Sequence, residues 1–88
     1  MGLDMKLIRK YFITFRDGEN FGKFVIVYAP NEDDAFRMAC NEFGASNVSN
    51  VYTEFNWQRK YTKHLTFLKE LNSEDYQKYI QRRSYKRS

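Results

Sequence analysis

Two neighbouring stretches of β-forming residues restrict the possible folds more than any other part of the chain. In residues 9–16, Tyr11, Ile13 and Phe15 fall on one side of an extended strand, because side chains alternate with a period of two. Residues 23–29 are almost all β-branched or aromatic, which is typical of a central strand with little solvent on either face. The short connection between the two stretches contains Asp and Gly, which favour a tight turn. Together they predict an antiparallel β-hairpin.

A helix is predicted directly after the hairpin. Pro30 ends the second strand, and Asn31 can cap a helix over residues 32–43, because its side-chain oxygen can accept a hydrogen bond from a backbone N–H of the first turn. Gly44 is suited to end that helix. The acidic residues of the first turn could suggest a metal site, but their position at the positive end of the helix dipole explains them more simply. These residues are Glu32, Asp33 and Asp34. We expect this helix to cover one face of the hairpin.

The remaining sequence predicts further strands and a second helix. Residues 48–55 are typical of a third strand. Its expected buried members are Val51, Tyr52 and Phe55. Residues 57–71 fit either a fourth strand or a helix, and their threonines favour the strand because they are β-branched. The Asn-Ser pair at 72–73, followed by two acids, predicts the start of a helix that runs to about Arg83.

These elements predict an α+β fold. We expect a three- or four-stranded antiparallel sheet in the order ββαβ(β)α, with helix 32–43 packed on one face and a basic helix at the C-terminal end. The chain of 88 residues corresponds to a single domain, residues 1–88. Residues 82–88 are expected to form a basic tail that frays from the end of the last helix.

The composition is that of a folded, globular chain. Hydrophobic residues make up 42% of the sequence and charged residues 30%, which argues against a disordered protein. No segment approaches the ~20 apolar residues that a membrane-spanning helix needs. The first ten residues contain no apolar stretch of signal-peptide length. We therefore expect a cytoplasmic protein that does not insert into membranes.

The sequence offers few groups for catalysis, and we predict a protein that is not an enzyme and that uses no metal or cofactor. A Cys or Ser nucleophile needs a nearby base, usually His, and the chain has only His64. Cys40 falls on the apolar side of the predicted helix, which favours a small packing role over a reactive thiol. Gly18 and Gly22 lie in the hairpin and do not precede a helix, as a phosphate-binding loop would require. One Cys and one His are too few for a zinc site.

The basic residues are concentrated in the C-terminal third. Residues 1–57 contain six basic and eight acidic residues, whereas residues 58–88 contain nine basic and three acidic residues. This asymmetry indicates an anionic partner, and aromatic residues between the cations suit nucleic acid in particular. The candidate basic residues are Arg59, Lys60, Lys63, Arg82, Arg83, Lys86 and Arg87. The candidate aromatic residues are Trp57, Tyr61 and Tyr85.

A structural explanation exists for each part of this candidate site. Trp57 and Tyr61 can be packing residues of a small aromatic-rich domain, in which 18% of all residues are Phe, Tyr or Trp. The cations of residues 82–87 can compensate the helix dipole and keep the protein soluble. Convergence of the two basic groups on one face would favour nucleic acid, whereas dispersal would favour solubility.

Residues 11–54 contain the segments YFITF, a Gly-containing hairpin, VIVYAPNEDDA, MACNEFG and VYTE. In these segments the chain resembles small accessory proteins encoded by phages and prophages of Gram-positive bacteria. Members with known roles often bind a host protein or nucleic acid, and some inhibit CRISPR nucleases. The resemblance therefore implies a host macromolecule as partner, and it assigns no catalytic or binding residue. Some such inhibitors are acidic mimics of nucleic acid, whereas this chain is basic.

Two functional hypotheses follow from the sequence. The first is a non-enzymatic accessory protein that binds and modulates a host protein or nucleoprotein complex. The second is direct DNA or RNA binding through the basic, aromatic-rich C-terminal third. We expect either a monomer or a homodimer formed by pairing of an exposed sheet edge.

Overall fold

A computed structural model describes residues 7–60 and 64–87, with side chains described as far as residue 82. It confirms the α+β class, with a four-stranded sheet and three helices in the described residues. The elements are β1 (Arg9–Phe15), β2 (Lys23–Ala29), α1 (Glu32–Phe43), β3 (Val48–Thr53), α2 (Glu54–Arg59), β4 (Thr66–Leu71) and α3 (Ser73–Arg87).

The sheet has the strand order β3-β1-β2-β4. The predicted hairpin is confirmed, since β1 pairs with β2 and β3 in antiparallel fashion. Strand β4 differs from the expected arrangement because it runs parallel to β2, which makes the sheet mixed. The chain reaches β4 only after α1, β3 and α2, and so long a connection allows parallel pairing where a short turn would not.

Both outer strands pair irregularly with the centre of the sheet. The register of β3 against β1 shifts between Ile13 and Phe15, and the register of β4 against β2 shifts between Phe24 and Val25. In each case the extra residue belongs to the outer strand, which is the arrangement of a β-bulge.

The hydrophobic core lies between one face of the sheet and the helices α1 and α3. Ile13, Val25 and Val27 are fully buried at its centre. The residues that pack on them from the rest of the sheet and the two helices include Ala35, Met38, Ala39, Val48, Leu71, Tyr76 and Tyr79. The helix α1 therefore covers one face of the hairpin as predicted. None of the helices in the described part of the chain is long and apolar enough to cross a membrane.

The region after β3 departs from the predicted strand. Strand β3 ends at Thr53, whose hydroxyl accepts a hydrogen bond from the backbone N–H of Asn56 (3.1 Å) and so caps the short helix α2. The prediction that Phe55 is a buried strand residue is wrong, since its side chain lies on α2 and is 67% exposed. Val48, at the start of β3, is the fully buried residue instead.

The last helix is longer than predicted. It continues to Arg87, whereas the sequence predicts an end at about Arg83. Its start is capped as predicted, because the Asn72 side-chain oxygen accepts hydrogen bonds from the backbone N–H groups of Glu74 (3.0 Å) and Asp75 (3.2 Å). The Asp75 carboxylate in turn accepts from the Asn72 backbone N–H (2.8 Å).

Replacing Asn31 with alanine should lower the free energy of unfolding by about 1 kcal/mol, because the cap of α1 is lost. The Asn31 side-chain oxygen accepts a hydrogen bond from the Asp34 backbone N–H (2.8 Å). Urea unfolding measures the change. Asn31→Asp is the control, because Asp is an equally good cap, and a loss as large as that of Asn31→Ala would contradict the capping role.

Candidate functional site

The face of the sheet opposite α1 and α3 carries a set of neighbouring aromatic rings. Because strand residues alternate between faces, residues next to the buried Ile13 and Val25 point to this opposite face. Phe12 is paired across the strands with Tyr52, and Phe24 with Phe67. Trp57 of α2 packs on the same face. We call these five residues the aromatic cluster: Phe12, Phe24, Tyr52, Trp57 and Phe67.

Trp57 is the centre of the aromatic cluster. Its ring stacks on Phe12 with the centroids 4.7 Å apart and the planes within 5° of each other. Phe24 and Tyr52 lie 5.1 Å and 5.6 Å from the Trp57 ring in tilted arrangements. Phe67 extends the cluster to β4, with its ring 5.7 Å from Phe24. These distances are those of favourable aromatic pairs, so the rings support one another. The expectation that Trp57 is a packing residue is met by these contacts.

The cluster is only partly covered. The six-residue helix α2 covers only part of this sheet face. Phe12 lies beneath the Trp57 ring, which shields it, and is only 8% exposed. At the other end of the cluster Phe67 is 50% exposed. The opposite face of the same sheet is covered by two longer helices. The apolar sheet face that carries the aromatic cluster is therefore open at the β4 side, and we call it the open face.

Three cations lie beside aromatic rings on this side of the molecule. The Lys10 ammonium is 5.5 Å from the centroid of Phe12, and the Lys60 ammonium is 5.1 Å from that of Tyr52. The Arg59 guanidinium is 5.4 Å from the ring of Phe55. These are distances at which a cation is attracted to the face of a ring.

Acidic groups on this side of the molecule are fewer. Glu54 is 4.0 Å from Lys10, an exposed pair that contributes little to stability. Glu70 is paired across the strands with Ile26 and lies on the same face as the cluster. Of the three cations, Lys10 and Lys60 lie over rings of the aromatic cluster, whereas Arg59 lies over Phe55, which is not a member of it.

The structure separates the two groups of predicted binding residues. Trp57, Arg59 and Lys60 belong to α2 or its C-terminal end, on the open face of the sheet. Arg82 belongs to α3, which packs on the other face. The described cations of the two groups therefore do not converge on one surface, and for Arg82 this dispersal favours a role in solubility over nucleic-acid binding.

The other predicted binding residues are described in part or not at all. Four of them lie within α3, beyond the last described side chain, and these are Arg83, Tyr85, Lys86 and Arg87. Tyr61 and Lys63 lie outside the described residues.

Arg82 lines a small groove between α1 and α3. Its volume is about 80 Å³, and its lining includes Lys78, Tyr79 and Glu42. The Glu42 carboxylate is paired with the Lys69 ammonium at 3.0 Å. A groove of this size is below the several hundred Å³ of an ordinary small-molecule pocket.

Cys40 is a partly buried residue of α1 that packs against the core. Burial raises the pKa of its thiol, which lowers the fraction of reactive thiolate at neutral pH. Within the described residues, no group of three or more His, Cys, Asp or Glu side chains is arranged to hold a metal ion.

The arrangement on the open face is suited to binding large, partly apolar ligands through ring contacts.

The sequence pattern singles out Trp57 and its neighbouring cations but not the other members of the aromatic cluster. Phe12 and Phe24 meet through the β1–β2 hairpin, whereas Phe67 joins them only because β4 pairs with β2. Part of the cluster has a signal in the sequence, since the second strand of the hairpin is apolar on both faces. Comparison with protein-family models, curated proteins and solved structures finds no match to this chain.

Proposed function

We propose that this chain is a small, non-enzymatic accessory protein that binds and modulates another macromolecule through the aromatic cluster. The observation that carries the proposal is a sheet face with five neighbouring aromatic rings that is open at the β4 side, where Phe67 is 50% exposed. Large aromatic side chains that stay exposed to water contribute none of the free energy that their burial would give. A partner that covers them gains this free energy on binding.

The composition of this surface supports a macromolecular partner. Aromatic residues and Arg are enriched in the centres of interfaces, and they account for a large share of the binding energy. Here Lys10 and Lys60 lie over the rings of Phe12 and Tyr52, and Arg59 lies in the same helix as Trp57. The resemblance of residues 11–54 to phage and prophage accessory proteins supports a host protein or nucleoprotein complex in the bacterial cytoplasm as the partner.

Direct DNA or RNA binding, without a host protein, is the second candidate function. The observation that favours it is the position of the Lys60 ammonium over the Tyr52 ring of the cluster, since nucleic acid needs both cations and aromatic rings. Arg82 lies on the other side of the sheet. The open face, rather than the whole C-terminal third, is therefore the surface that this function would use.

Replacing Phe67 with alanine should abolish most binding to the partner and leave the fold intact. Exposed substitutions usually change stability by less than about 0.5 kcal/mol, whereas truncating an aromatic residue that dominates an interface weakens binding by about 2 kcal/mol or more, roughly 30-fold. The measurement is quantitative capture of partners from a Gram-positive bacterial lysate, before and after nuclease treatment, by Phe67→Ala and by the unchanged protein.

Phe21→Ala is the matched control for this experiment. Phe21 is 68% exposed, and it lies in the turn between β1 and β2, outside the aromatic cluster. We expect it to capture the same partners as the unchanged protein. Equal capture by Phe67→Ala and Phe21→Ala would contradict the proposed function.

A further inference from the structure

We propose that the ligand of the aromatic cluster is single-stranded nucleic acid, whose bases stack on the open rings and whose phosphates contact the bordering cations. This inference rests on the proposed function, because it names the chemistry of the partner that the same surface binds. It applies to a free strand and to an exposed strand within a nucleoprotein complex.

The spacing of the rings favours a ligand with stacked bases. The cluster takes one ring from each of the four strands and one from α2, and neighbouring ring centroids are 4.7–6.2 Å apart. Bases of a single strand stack on such aromatic surfaces, and the contact is tolerant of sequence because every base has a flat π-face. Phe67, half exposed at the β4 side, is the ring most accessible to a base.

Charge complementarity also favours nucleic acid. Lys10 and Lys60 lie over rings of the cluster, and Arg59, which lies over Phe55 outside the cluster, directly precedes Lys60. Arg59 and Lys60 form no ion pair with an acidic side chain of the described residues. An apolar peptide would gain nothing from these cations, whereas each phosphate that they neutralise releases a counterion. The whole chain also carries a net charge of +4, which favours the approach of a polyanion.

The flat faces of the rings favour a single strand over a duplex. In a duplex the bases are stacked on one another and only their edges reach the grooves, so rings on a sheet face cannot contact their flat surfaces. Unpaired bases can turn outward and stack on the protein. The open face is therefore suited to an unpaired strand.

The experiment uses Trp57 as its reporter, since it is the only tryptophan of the chain and lies at the centre of the cluster. Oligothymidylate of about 12 nucleotides, within the usual site sizes, should quench Trp57 fluorescence in a saturable way. An abasic oligonucleotide of the same length carries the phosphates without the bases, and it should bind at least about tenfold more weakly. A duplex of the same length should also bind at least about tenfold more weakly. Polarisation of a labelled oligonucleotide gives an independent measure of affinity.

Substitutions separate stacking from charge. Phe67→Ala should weaken oligothymidylate binding about tenfold or more, whereas Phe21→Ala should leave it unchanged. The double variant Arg59→Gln/Lys60→Gln should reduce the slope of log affinity against log salt by about 1.4, because two phosphate contacts are lost. The matched control Lys78→Gln/Arg82→Gln removes the same charge from α3, on the other face, and should leave the slope unchanged.

Several outcomes would overturn the inference. These are no binding of oligothymidylate at low salt, equal binding of the abasic or duplex ligand, and an equal loss of slope in the α3 control. If oligothymidylate fails to bind but Phe67→Ala still loses a protein partner from nuclease-treated lysate, the inference falls and the proposed function stands. If Phe67→Ala changes neither binding, both fall.

Discussion

Replacing Ile13 with alanine should lower the free energy of unfolding by about 2–5 kcal/mol. Ile13 has no exposed surface and lies in β1, one of the two central strands, beneath the helices of the core. Removing its side chain loses apolar burial and leaves a cavity that a closely packed core cannot fill. Because a small domain is stabilised by only about 5–15 kcal/mol, the urea midpoint should fall by a large fraction.

Ile26→Ala is the matched control for this prediction. Ile26 is half-buried in the adjacent strand β2, but it points to the opposite face of the sheet. Both substitutions remove the same atoms, but Ile26→Ala loses less buried apolar surface. We therefore expect it to lower the free energy of unfolding by less than half as much as Ile13→Ala. Equal destabilisation by the two substitutions would contradict a core confined to the helix-covered face.

Replacing Trp57 with alanine should lower the free energy of unfolding by about 2 kcal/mol, somewhat less than for a fully buried Trp. The half-buried ring contacts Phe12, Phe24 and Tyr52, with centroids 4.7–5.6 Å away. Its loss also exposes Phe12, which is otherwise only 8% exposed. Urea unfolding followed by far-ultraviolet circular dichroism measures the effect without relying on tryptophan fluorescence.

Phe55→Ala tests whether this effect belongs to the cluster or to α2 as a whole. Phe55 lies two residues before Trp57 in the same helix, so helical geometry turns it about 200° away, in keeping with its exposure. We expect its truncation to change stability by less than about 0.5 kcal/mol. If Phe55→Ala is as destabilising as Trp57→Ala, the stabilisation comes from α2 as a whole and not from packing of the Trp57 ring.

Locally encoded elements of this fold were predictable from the sequence. The hairpin follows from residues with strong β preference on either side of a turn. The helix α1 begins where Asn31 can cap it and ends at Gly44, whose φ of +100° lies in the region that favours glycine. In both cases the determining contacts are close in sequence, so residue type and spacing carry the information.

The position of β4 depends on contacts that are distant in sequence. A strand pattern in residues 57–71 contains no information about which edge it joins or in which direction it runs. The pairing of Val27 with Leu71 spans more than forty residues. The start of α2 is a local feature that the residue pattern did not reveal, since Phe55 fits a strand by residue type and the Thr53 cap directs the chain into a helix.

The candidate site likewise combines residues that the sequence pattern indicates with residues that only the fold brings together. Trp57, Arg59 and Lys60 could be singled out because cations and aromatic residues alternate along the chain. The remaining rings could not, because a phenylalanine in a strand gives no sign of which ring will lie beside it. Phe24 and Phe67 become neighbours only through the parallel pairing of β2 and β4.

The extra residues in β3 and β4 bear on how this protein behaves at high concentration. A straight, regularly hydrogen-bonded border of a sheet invites a strand from another molecule, and this is a common route to fibrous aggregates. Bulges interrupt such a border and increase its twist, and in this sheet both borders contain one. We therefore expect the irregular borders to oppose sheet extension between copies, so that the exposed rings can serve recognition without drawing the chain into insoluble material.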